Sequence, residues 1–345
     1  MATDAKVIII GAGIIGGSIA WRLAQAGAAV TLLDAGTFGA EASWAGAGML
    51  APGGEFAQRS QWAEFALASL AMYPAFVEEL RSETGLPIDY RTCGEIEIAR
   101  NDSEWQELRA RRATQQEAGI RSEFTERGLF YPDEAVVDPR QVMDALRRAC
   151  EQRGVEIREQ TRAIAVRTAD GQTEVETTSG KLTGSAAVLA AGAWAGEIPV
   201  HGPHGRIETP VSFPVRGYLF GFSLPPGSMG PVLRHGHTYV TQRSNGYTIA
   251  GTSSEQVGFN REIDAQVIAD IRARVFDLVP ELRAAGEPEI WLGFRPATPG
   301  FEPAISRLPD VPVWLAYGHY RNGILMAPAT AARIAKEITS SWGKG

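Results

Sequence analysis

The amino-acid sequence predicts an α/β fold in which a Rossmann-like domain is interleaved with an α+β domain built on an antiparallel sheet. Three observations lead to this prediction. A strand, a glycine-rich turn and a helix open the chain, and residues 187–192 return to the same sheet after a long excursion. Residues 204–303 carry a hairpin signal and one amphipathic helix, as expected for the second domain.

The opening residues have the pattern of a dinucleotide-binding βαβ unit. Residues 7–10 are Val-Ile-Ile-Ile, typical of a strand buried on both faces. Gly11 permits a tight turn, Gly13 lets backbone N–H groups approach a pyrophosphate, and Gly16 lets the helix pack on the strand. A second strand then delivers Asp34 to a ribose hydroxyl. The spacing therefore predicts phosphates at the helix N-terminus.

Length and composition limit the function classes. A chain of 345 residues with 44% hydrophobic and 21% charged residues is typical of a two-domain globular protein. The net charge of −7 and the scattered basic residues disfavour nucleic-acid binding. Cys93 and Cys150 have neither metal-ligand nor disulfide spacing, and we find no membrane-length apolar run free of Gly and Pro. We expect a cytoplasmic protein with no metal site and no membrane span.

The elements that follow are read from apolar spacing and capping residues. Residues 60–81 have helical spacing, with a kink predicted at Pro74. Residues 94–98 alternate as a strand, and Asn101 can cap a helix that runs to about Ala118. The remaining predictions in this half are a helix over 139–153, strands at 155–157, 163–167 and 187–192, and small-residue loops at 42–52 and 191–194.

Residues 204–303 read as antiparallel sheet with one helix. Residues 244–246, Ser-Asn-Gly, separate two strand-like runs and predict a hairpin. Asp264 can cap a helix that Pro280 stops. Residues 289–294 then predict a strand that ends in Arg295. The chain closes with a strand at 313–316 and a helix that opens at a glycine-rich segment, residues 318–323.

The glycine-rich segments indicate which dinucleotide is bound. A nicotinamide enzyme needs only the first turn, whereas this chain adds two small-residue loops and a third glycine-rich helix start. A longer dinucleotide with a flat ring held at its far end would use all of them, which indicates FAD. We therefore expect an FAD-binding domain at residues 1–85, 138–203 and 304–345, and a substrate-binding domain at 86–137 and 204–303.

Seven segments, in order along nearly the whole chain, resemble a known family. They are residues 11–16 with Asp34, and residues 47–52, 137–140, 191–194, 214–217, 293–296 and 318–324. The chain resembles the glycine oxidase branch, of the thiamine-pathway type, of the D-amino-acid oxidase and sarcosine oxidase superfamily. The last segment, Gly-His-Tyr-Arg-Asn-Gly-Ile, is the most specific to that branch. The resemblance also implies a homo-oligomer.

The resemblance implies a non-covalently bound FAD. The flavin ring would be held between the loop around residues 46–50 and the backbone of residues 321–324, where a helix N-terminus favours the negative charge of reduced flavin. Ala45 stands where covalently flavinylated relatives have histidine. The cofactor-binding residues implied are Gly11, Gly13, Ile14, Ile15, Gly16, Asp34, Ala35, Ser43, Ala45, Gly46, Gly48, Met49, Leu50, Ala163, Ala191, Gly192, Trp194, His319, Arg321, Asn322, Gly323 and Ile324.

The resemblance also implies the substrate residues. Arg295, in the Gly-x-Arg-Pro pattern, would hold the substrate carboxylate, since its planar fork pairs bidentately with carboxylates. A surface salt bridge is the alternative role for this arginine. Tyr239 would line the pocket, with His237 and Arg321 at its mouth. For His237 and His319, a hydrogen-bonded loop histidine is the alternative to a chemical role.

The implied reaction is oxidative deamination of glycine or a related small amino acid or amine. Hydride would pass from Cα to the flavin, the imine would hydrolyse, and O₂ would reoxidise the flavin to give H₂O₂. Tyr218, Ser254 and Phe301 depart from the residues usual in the family, and they leave the substrate open. A sarcosine or D-amino-acid oxidase, a dehydrogenase of the same fold and a flavin-dependent 2-hydroxyacid oxidoreductase remain alternatives, as does a non-enzymatic nucleotide-binding protein.

Overall fold

The computed structural model describes residues 6–341, which form eight α-helices and four β-sheets. The helices are α1 (Ile14–Gln25), α2 (Ala42–Ala45), α3 (Pro52–Glu55), α4 (Gln61–Thr84), α5 (Asp102–Glu117), α6 (Pro139–Gln152), α7 (Ala265–Leu278) and α8 (Gly323–Thr339). Short 3₁₀ turns lie at Gly192–Glu197, Pro280–Ala284 and Pro299–Phe301. None of the helices within residues 6–341 combines the length and the apolar character needed to cross a membrane.

The predicted Rossmann-like sheet is present and has six strands. Their spatial order is β21 (Ala304–Arg307), β22 (Val313–Tyr317), β13 (Ala186–Leu189), β1 (Lys6–Ile10), β2 (Ala29–Leu33) and β9 (Glu156–Arg158). All neighbours are parallel except β21, which runs antiparallel to β22. Val7 and Ile9 pack in one apolar cluster and Ile8 and Ile10 in another, so β1 is buried on both faces, as its composition predicts.

Two smaller sheets accompany the six-stranded sheet. One has the order β12 (Gly180–Gly184), β11 (Gln172–Thr177), β10 (Ala163–Ala169), β14 (Val200–Gly202) and β15 (Gly205–Ile207). The other joins β3 (Met49–Leu50), β8 (Ala135–Val137) and β4 (Tyr90–Thr92). Val166 and Val175 of the first of these sheets pack in the same apolar cluster as Ile8, which places this sheet on one face of β1.

The fourth sheet has eight strands. Their order is β20 (Glu289–Ala297), β16 (Phe213–Ser223), β19 (Tyr247–Gly251), β18 (Thr238–Gln242), β17 (Val232–His235), β5 (Glu95–Ile98), β7 (Gly128–Tyr131) and β6 (Glu123–Thr125). Every neighbouring pair is antiparallel except β17 with β5. The sheet is covered by α7, whose Ile271 and Val275 pack against Phe220 of β16.

Two predicted helix starts are confirmed by their caps. Asn101 accepts a hydrogen bond from Glu104 N at 3.1 Å, and Asp264 accepts from Gln266 N at 2.9 Å. Pro74 lies inside the predicted helix, which runs from Gln61 to Thr84, and the kink there remains a prediction. One expectation differs from the structure, because Arg295 lies within β20 rather than at its end. The strand continues because residues 213–215 of β16 still pair with residues 295–297.

The domain division remains a prediction of the sequence. The expected boundary at residue 203 falls between β14 and β15, two strands paired in one sheet. The three-stranded sheet likewise joins β3, from the predicted FAD-binding domain, to β4 and β8, from the predicted substrate-binding domain. The chain therefore crosses between the two predicted domains more than once.

Candidate functional site

A cavity of about 760 Å³ reaches from the carboxyl ends of β1 and β2 to strands β18 and β20 of the eight-stranded sheet. Ligands of parallel α/β sheets bind at this edge of the strands. We call the part lined by residues from the segments 10–15, 33–43, 161–164 and 190–198 the cofactor arm. The part lined by Glu55, Arg234, Tyr239, Thr252, Arg295 and Arg321 is the substrate arm.

The cofactor arm begins at the glycine turn before α1. Gly11 has φ +105°, and a Cβ there would lie 2.4 Å from Ala190 O, so the turn requires glycine. A Cβ at Gly16 would lie 1.8 Å from Gly11 O, which explains the close packing of helix on strand. Ser43 Oγ accepts from Ile14 N at 2.9 Å, which places a hydroxyl at the helix N-terminus. This end of the cavity therefore offers backbone and hydroxyl groups suited to phosphates.

Asp34 is held by the same turn. One of its carboxylate oxygens accepts from Ala12 N and the other from Gly36 N, both at 2.8 Å. Burial raises the pKa of Asp34 above its usual value. Each carboxylate oxygen has a second lone pair, so Asp34 can still accept from a ribose hydroxyl in the cavity.

The loop predicted to contact the flavin lies between the two arms. A Cβ at Gly46 would lie 2.6 Å from Ile324 Cδ1, and one at Gly48 would lie 1.8 Å from Val137 O. Trp291 Nε1 of β20 donates to Ala45 O at 3.0 Å. The loop therefore presents bare backbone to the cavity and is tied to the eight-stranded sheet. Residues 321–324, at the N-terminus of α8, line the cavity as well.

Arg295 is a largely unneutralised cation in the substrate arm. Its Nη1 donates to Ser253 O at 3.0 Å and its Nη2 to Thr252 Oγ1 at 2.8 Å. A Cβ at Gly217 would lie 2.4 Å from Nη1, so the neighbouring strand leaves room for the guanidinium only as glycine. Burial lowers the pKa of Arg295, and among the described residues no carboxylate forms an ion pair with it.

Arg321, in contrast, is neutralised. Its Nη2 lies 2.9 Å from Glu55 Oε1, the same oxygen that lies 3.4 Å from Arg234 Nη1. Arg234 in turn donates from Nε to Glu95 Oε1 at 2.6 Å. Two arginines and two carboxylates therefore alternate along one side of the substrate arm.

Tyr239 lies between these charged groups, and burial raises the pKa of its hydroxyl. The phenol therefore stays protonated at neutral pH and can donate to a ligand. His319 is buried, and burial lowers its pKa to about 3, so the imidazole is neutral. Its Nε2 lies 3.1 Å from Thr330 Oγ1, which makes it the hydrogen-bonded histidine of the alternative hypothesis.

The structure brings most of the predicted site residues to one cavity. Twenty of the twenty-two predicted cofactor residues line it, and so do the predicted substrate residues Tyr239, Arg295 and Arg321. The predicted residues that do not line it are Gly16, Leu50 and His237. Gly16 and Leu50 are buried in packing, and His237 is exposed in the turn between β17 and β18.

Several cavity residues could not be identified from the sequence. Among them are Glu55, Arg234, Phe259 and Arg261. Glu55 follows the Gly-Met-Leu-Ala-Pro loop within a few residues, and this proximity was the one signal available. The other three residues belong to no sequence motif. Arg234 reaches the cavity because β17 pairs with β18, and Phe259 and Arg261 reach it through the path of the chain after β19.

Tyr218, Ser254 and Phe301, the three residues that depart from the family pattern, have different surroundings. Tyr218 is fully buried, and its hydroxyl donates to Glu262 O at 2.7 Å. Ser254 Oγ lies 3.3 Å from Tyr320 Oη. The exposed ring of Phe301 packs 4.7 Å, centroid to centroid, from the ring of Tyr320, which lines the cavity. Ser254 and Phe301 therefore lie at the edge of the substrate arm, whereas Tyr218 does not line the cavity.

Comparison with known proteins agrees with this geometry. Residues 6–337 match the DAO family, described as FAD dependent oxidoreductase. The bifunctional protein ThiO/ThiG of Synechocystis is 36% identical over 98% of this chain, which spans about half (52%) of that protein's length. A glycine oxidase of Pseudomonas aeruginosa is 32% identical over 96% of this chain and 93% of its own. The crystal structure of glycine oxidase from Geobacillus kaustophilus superposes with a TM-score of 0.90, at 28% identity, covering 97% of this chain and 95% of that one.

FAD is the cofactor of this family, and the residues present fit it. The glycine turn, Ser43 and Asp34 suit the adenosine and diphosphate, while Gly46 and Gly48 supply the bare backbone that a flat ring system requires. The cavity joins these features to Arg295 without interruption.

Proposed function

Because the chain belongs to the DAO family of FAD-dependent oxidoreductases, we propose that it oxidises the amine carbon of glycine or a related small amino acid to an imine, which water then hydrolyses. FAD, when bound, supplies the hydride acceptor and the route by which electrons reach O₂ to form H₂O₂. Glycine oxidases of 30–32% identity that match nearly the whole chain support this proposal.

The observation that carries the proposal is the isolated Arg295. Within residues 6–341, the half-buried guanidinium of Arg295 donates to neutral oxygens only, so it has a strong preference for an anionic partner. A substrate carboxylate would satisfy it in a bidentate contact and fix the orientation of the molecule.

The remaining residues supply orientation and electrostatics. Tyr239 can donate to the second oxygen of the carboxylate, which leaves the amine end of the substrate free to face the loop at Ala45–Gly48. The positive charge of Arg295 favours the neutral amine over the ammonium form. A neutral amine is the form from which hydride loss proceeds, so the site needs no dedicated catalytic base.

An anaerobic substrate panel tests the proposal. The purified holoenzyme is mixed with glycine, sarcosine, D-alanine, glycolate or ethylamine, and loss of the flavin absorbance is followed. We expect the amino acids to bleach the flavin and ethylamine to do so far more slowly. Bleaching by glycolate alone would replace the proposal with a 2-hydroxyacid oxidoreductase. In air, peroxide formation separates an oxidase from a dehydrogenase, which would reduce only an added dye.

A further inference from the structure

The segment between β19 and α7 crosses the cofactor arm. It covers residues 252–264. Thr252 lines the substrate arm, and Phe259 and Arg261 line the cavity further along. The ring of Phe259 stacks on that of Trp194 with centroids 4.6 Å apart and 17° between the planes. Trp194 belongs to the 3₁₀ turn that follows β13 of the six-stranded sheet. The stack therefore connects residues 252–264, which follow β19 of the eight-stranded sheet, to the six-stranded sheet.

Arg261 makes a second link across the same cleft. Its Nη2 lies 2.6 Å and 2.8 Å from the two oxygens of Glu41. Glu41 immediately precedes α2 and stands two residues before Ser43, the hydroxyl at the N-terminus of α1. The guanidinium therefore lies beside the end of the cavity that suits the diphosphate.

The pairing has an electrostatic consequence. A diphosphate brings two negative charges to a place where the carboxylate of Glu41 also lines the cavity. The negative charges of the diphosphate and of Glu41 would repel each other, and the positive charge of Arg261 beside them would offset this repulsion. Both side chains are about half exposed, at 55% and 43%, so the pair on its own contributes little to folding.

Hydrogen bonds from Arg216 and Tyr218 hold the backbone on both sides of Arg261 in place. Arg216 Nη1 donates to Asn260 O at 3.1 Å and to Glu262 O at 2.9 Å. The Tyr218 hydroxyl donates to the same Glu262 carbonyl. Tyr218, which departs from the family pattern, therefore helps to hold the segment that carries Arg261. The guanidinium carbon of Arg261 lies over the ring of Phe294, 4.9 Å from the ring centroid.

We propose that Arg261 is a cofactor-binding residue, whose guanidinium is shared between Glu41 and the diphosphate of FAD. The eight-stranded sheet then contributes a cation to a site otherwise made by the Rossmann-like sheet. Arg216 and Tyr218 are positioning residues for this contact. The inference concerns cofactor binding and does not depend on which substrate is oxidised.

The test measures FAD release rather than turnover. Holoenzyme is diluted, and the rise of free-flavin fluorescence gives the release rate at low and high salt. We expect Arg261→Gln to release FAD about tenfold faster, with a weaker dependence on salt, because a charged hydrogen bond is lost. Arg261→Lys should lie between Arg261→Gln and wild type, since it keeps the charge but not the planar fork.

Two further variants make the result decisive. Glu41→Gln removes the competing carboxylate, so it should retain FAD at least as well as wild type. Arg272→Gln is the matched control, because Arg272 is also an arginine paired with a glutamate, Glu287 at 2.9 Å, but it lies on α7 and does not line the cavity. If Arg261→Gln releases FAD at the wild-type rate, or if Glu41→Gln releases it as fast as Arg261→Gln, the ion pair is only a structural link and the proposal is wrong.

Discussion

The cofactor arm and the substrate arm of the cavity are built by different means. In the cofactor arm, backbone groups from a few short segments surround the cavity, and Asp34 is oriented by two backbone N–H groups. In the substrate arm, charged side chains from four separate parts of the chain meet: Glu55, Arg234, Arg295 and Arg321. Changes in one arm should therefore alter FAD retention, and changes in the other should alter substrate use.

The two arginines of the substrate arm sharpen this contrast. Arg321 is ion-paired with Glu55, whereas Arg295 has only neutral acceptors among the residues that the structure describes. An unneutralised cation in a buried site is unfavourable for folding and favourable for binding an anion. The difference identifies Arg295 as the residue on which substrate binding should depend most strongly.

The largest effect is expected for Arg295→Lys. Lysine keeps the positive charge but loses the planar fork, so the substrate binds more weakly and loses its orientation. We expect kcat/KM for an amino-acid substrate to fall about a hundredfold, or about 2–3 kcal/mol, in steady-state assays.

The control for Arg295→Lys is an amine without a carboxylate, whose kcat/KM should change far less. FAD content and visible spectrum should stay as in wild type, because the residue lies in the substrate arm. Equal losses for both substrates would mean that Arg295 is structural, and loss of FAD would mean that the two arms are not separable.

In the cofactor arm, Asp34→Ala should weaken FAD binding and leave substrate choice unchanged. The carboxylate is expected to accept from the adenosine ribose, and the loss of a charged hydrogen bond costs about 1.5–3 kcal/mol. FAD retained through dilution and gel filtration gives the comparison with wild type. Retention equal to wild type would contradict the role assigned to Asp34, and a changed order of substrates would contradict the separation of the arms.

The contrast between the arms also explains what could be predicted from the sequence. The glycine turn with Asp34 and the small-residue loop at residues 42–52 are local patterns, so they can be identified from the sequence. Gly11 and Gly48 in these segments are required by backbone geometry. The caps Asn101 and Asp264 can likewise be identified from the sequence.

The charged side of the substrate arm could not be predicted in this way. Arg234 meets Glu95 because β17 pairs with β5, more than a hundred residues away in the chain, and no local pattern encodes that pairing. For His237, the sequence predicts a place at the site that the structure does not give it. The resemblance places it at the pocket mouth, whereas the turn between β17 and β18 leaves it exposed and outside the cavity lining.

A buried carboxyl beside the substrate arm gives a pH test. Glu134 accepts from Gly53 N at 2.6 Å, its other oxygen has no partner among the described residues, and burial raises its pKa well above the usual value. A raised folded-state pKa means that its contribution to stability is complete below the unfolded pKa and is lost as pH rises through the folded pKa. Glu134→Gln cannot titrate, so its stability relative to wild type should increase by about 1–3 kcal/mol between acidic and alkaline pH.

Urea unfolding of the holoenzyme at several pH values measures this difference. Asp133→Asn is the control, because Asp133 is an exposed carboxylate one residue away, paired with Arg121. It should show a much smaller change with pH. A Glu134→Gln variant that loses stability relative to wild type as pH rises would reverse the assigned sign.

Glu55→Gln tests whether the neutralised arginine limits the substrate to one carboxylate. Glutamine leaves Arg321 without its ion pair, so a second substrate carboxylate gains a cationic partner. We expect the ratio of kcat/KM for iminodiacetate over glycine to rise about tenfold, in line with one charged hydrogen bond. Glu64→Gln, at an exposed pair with Arg59, should leave the ratio unchanged. An unchanged ratio in Glu55→Gln would mean that Arg321 is not accessible to the substrate.

The smallest effect is expected where the two arms meet. Trp291 Nε1 donates to Ala45 O, and this hydrogen bond ties the loop at residues 45–49 to the strand that carries Arg295. Trp291→Phe keeps an aromatic ring but removes the donor, so we expect a loss of about 0.5–1.5 kcal/mol in the stability of the holoenzyme toward urea. Because the loop also borders both arms, FAD release and kcat/KM should change together, each by less than in Asp34→Ala and Arg295→Lys.

Trp44→Phe is the control for Trp291→Phe. Trp44 contacts Trp291 only edge to face, with centroids 6.2 Å apart, and is 37% exposed. A Trp291→Phe variant that alters FAD release alone would show that the loop serves the cofactor arm and does not couple it to the substrate arm.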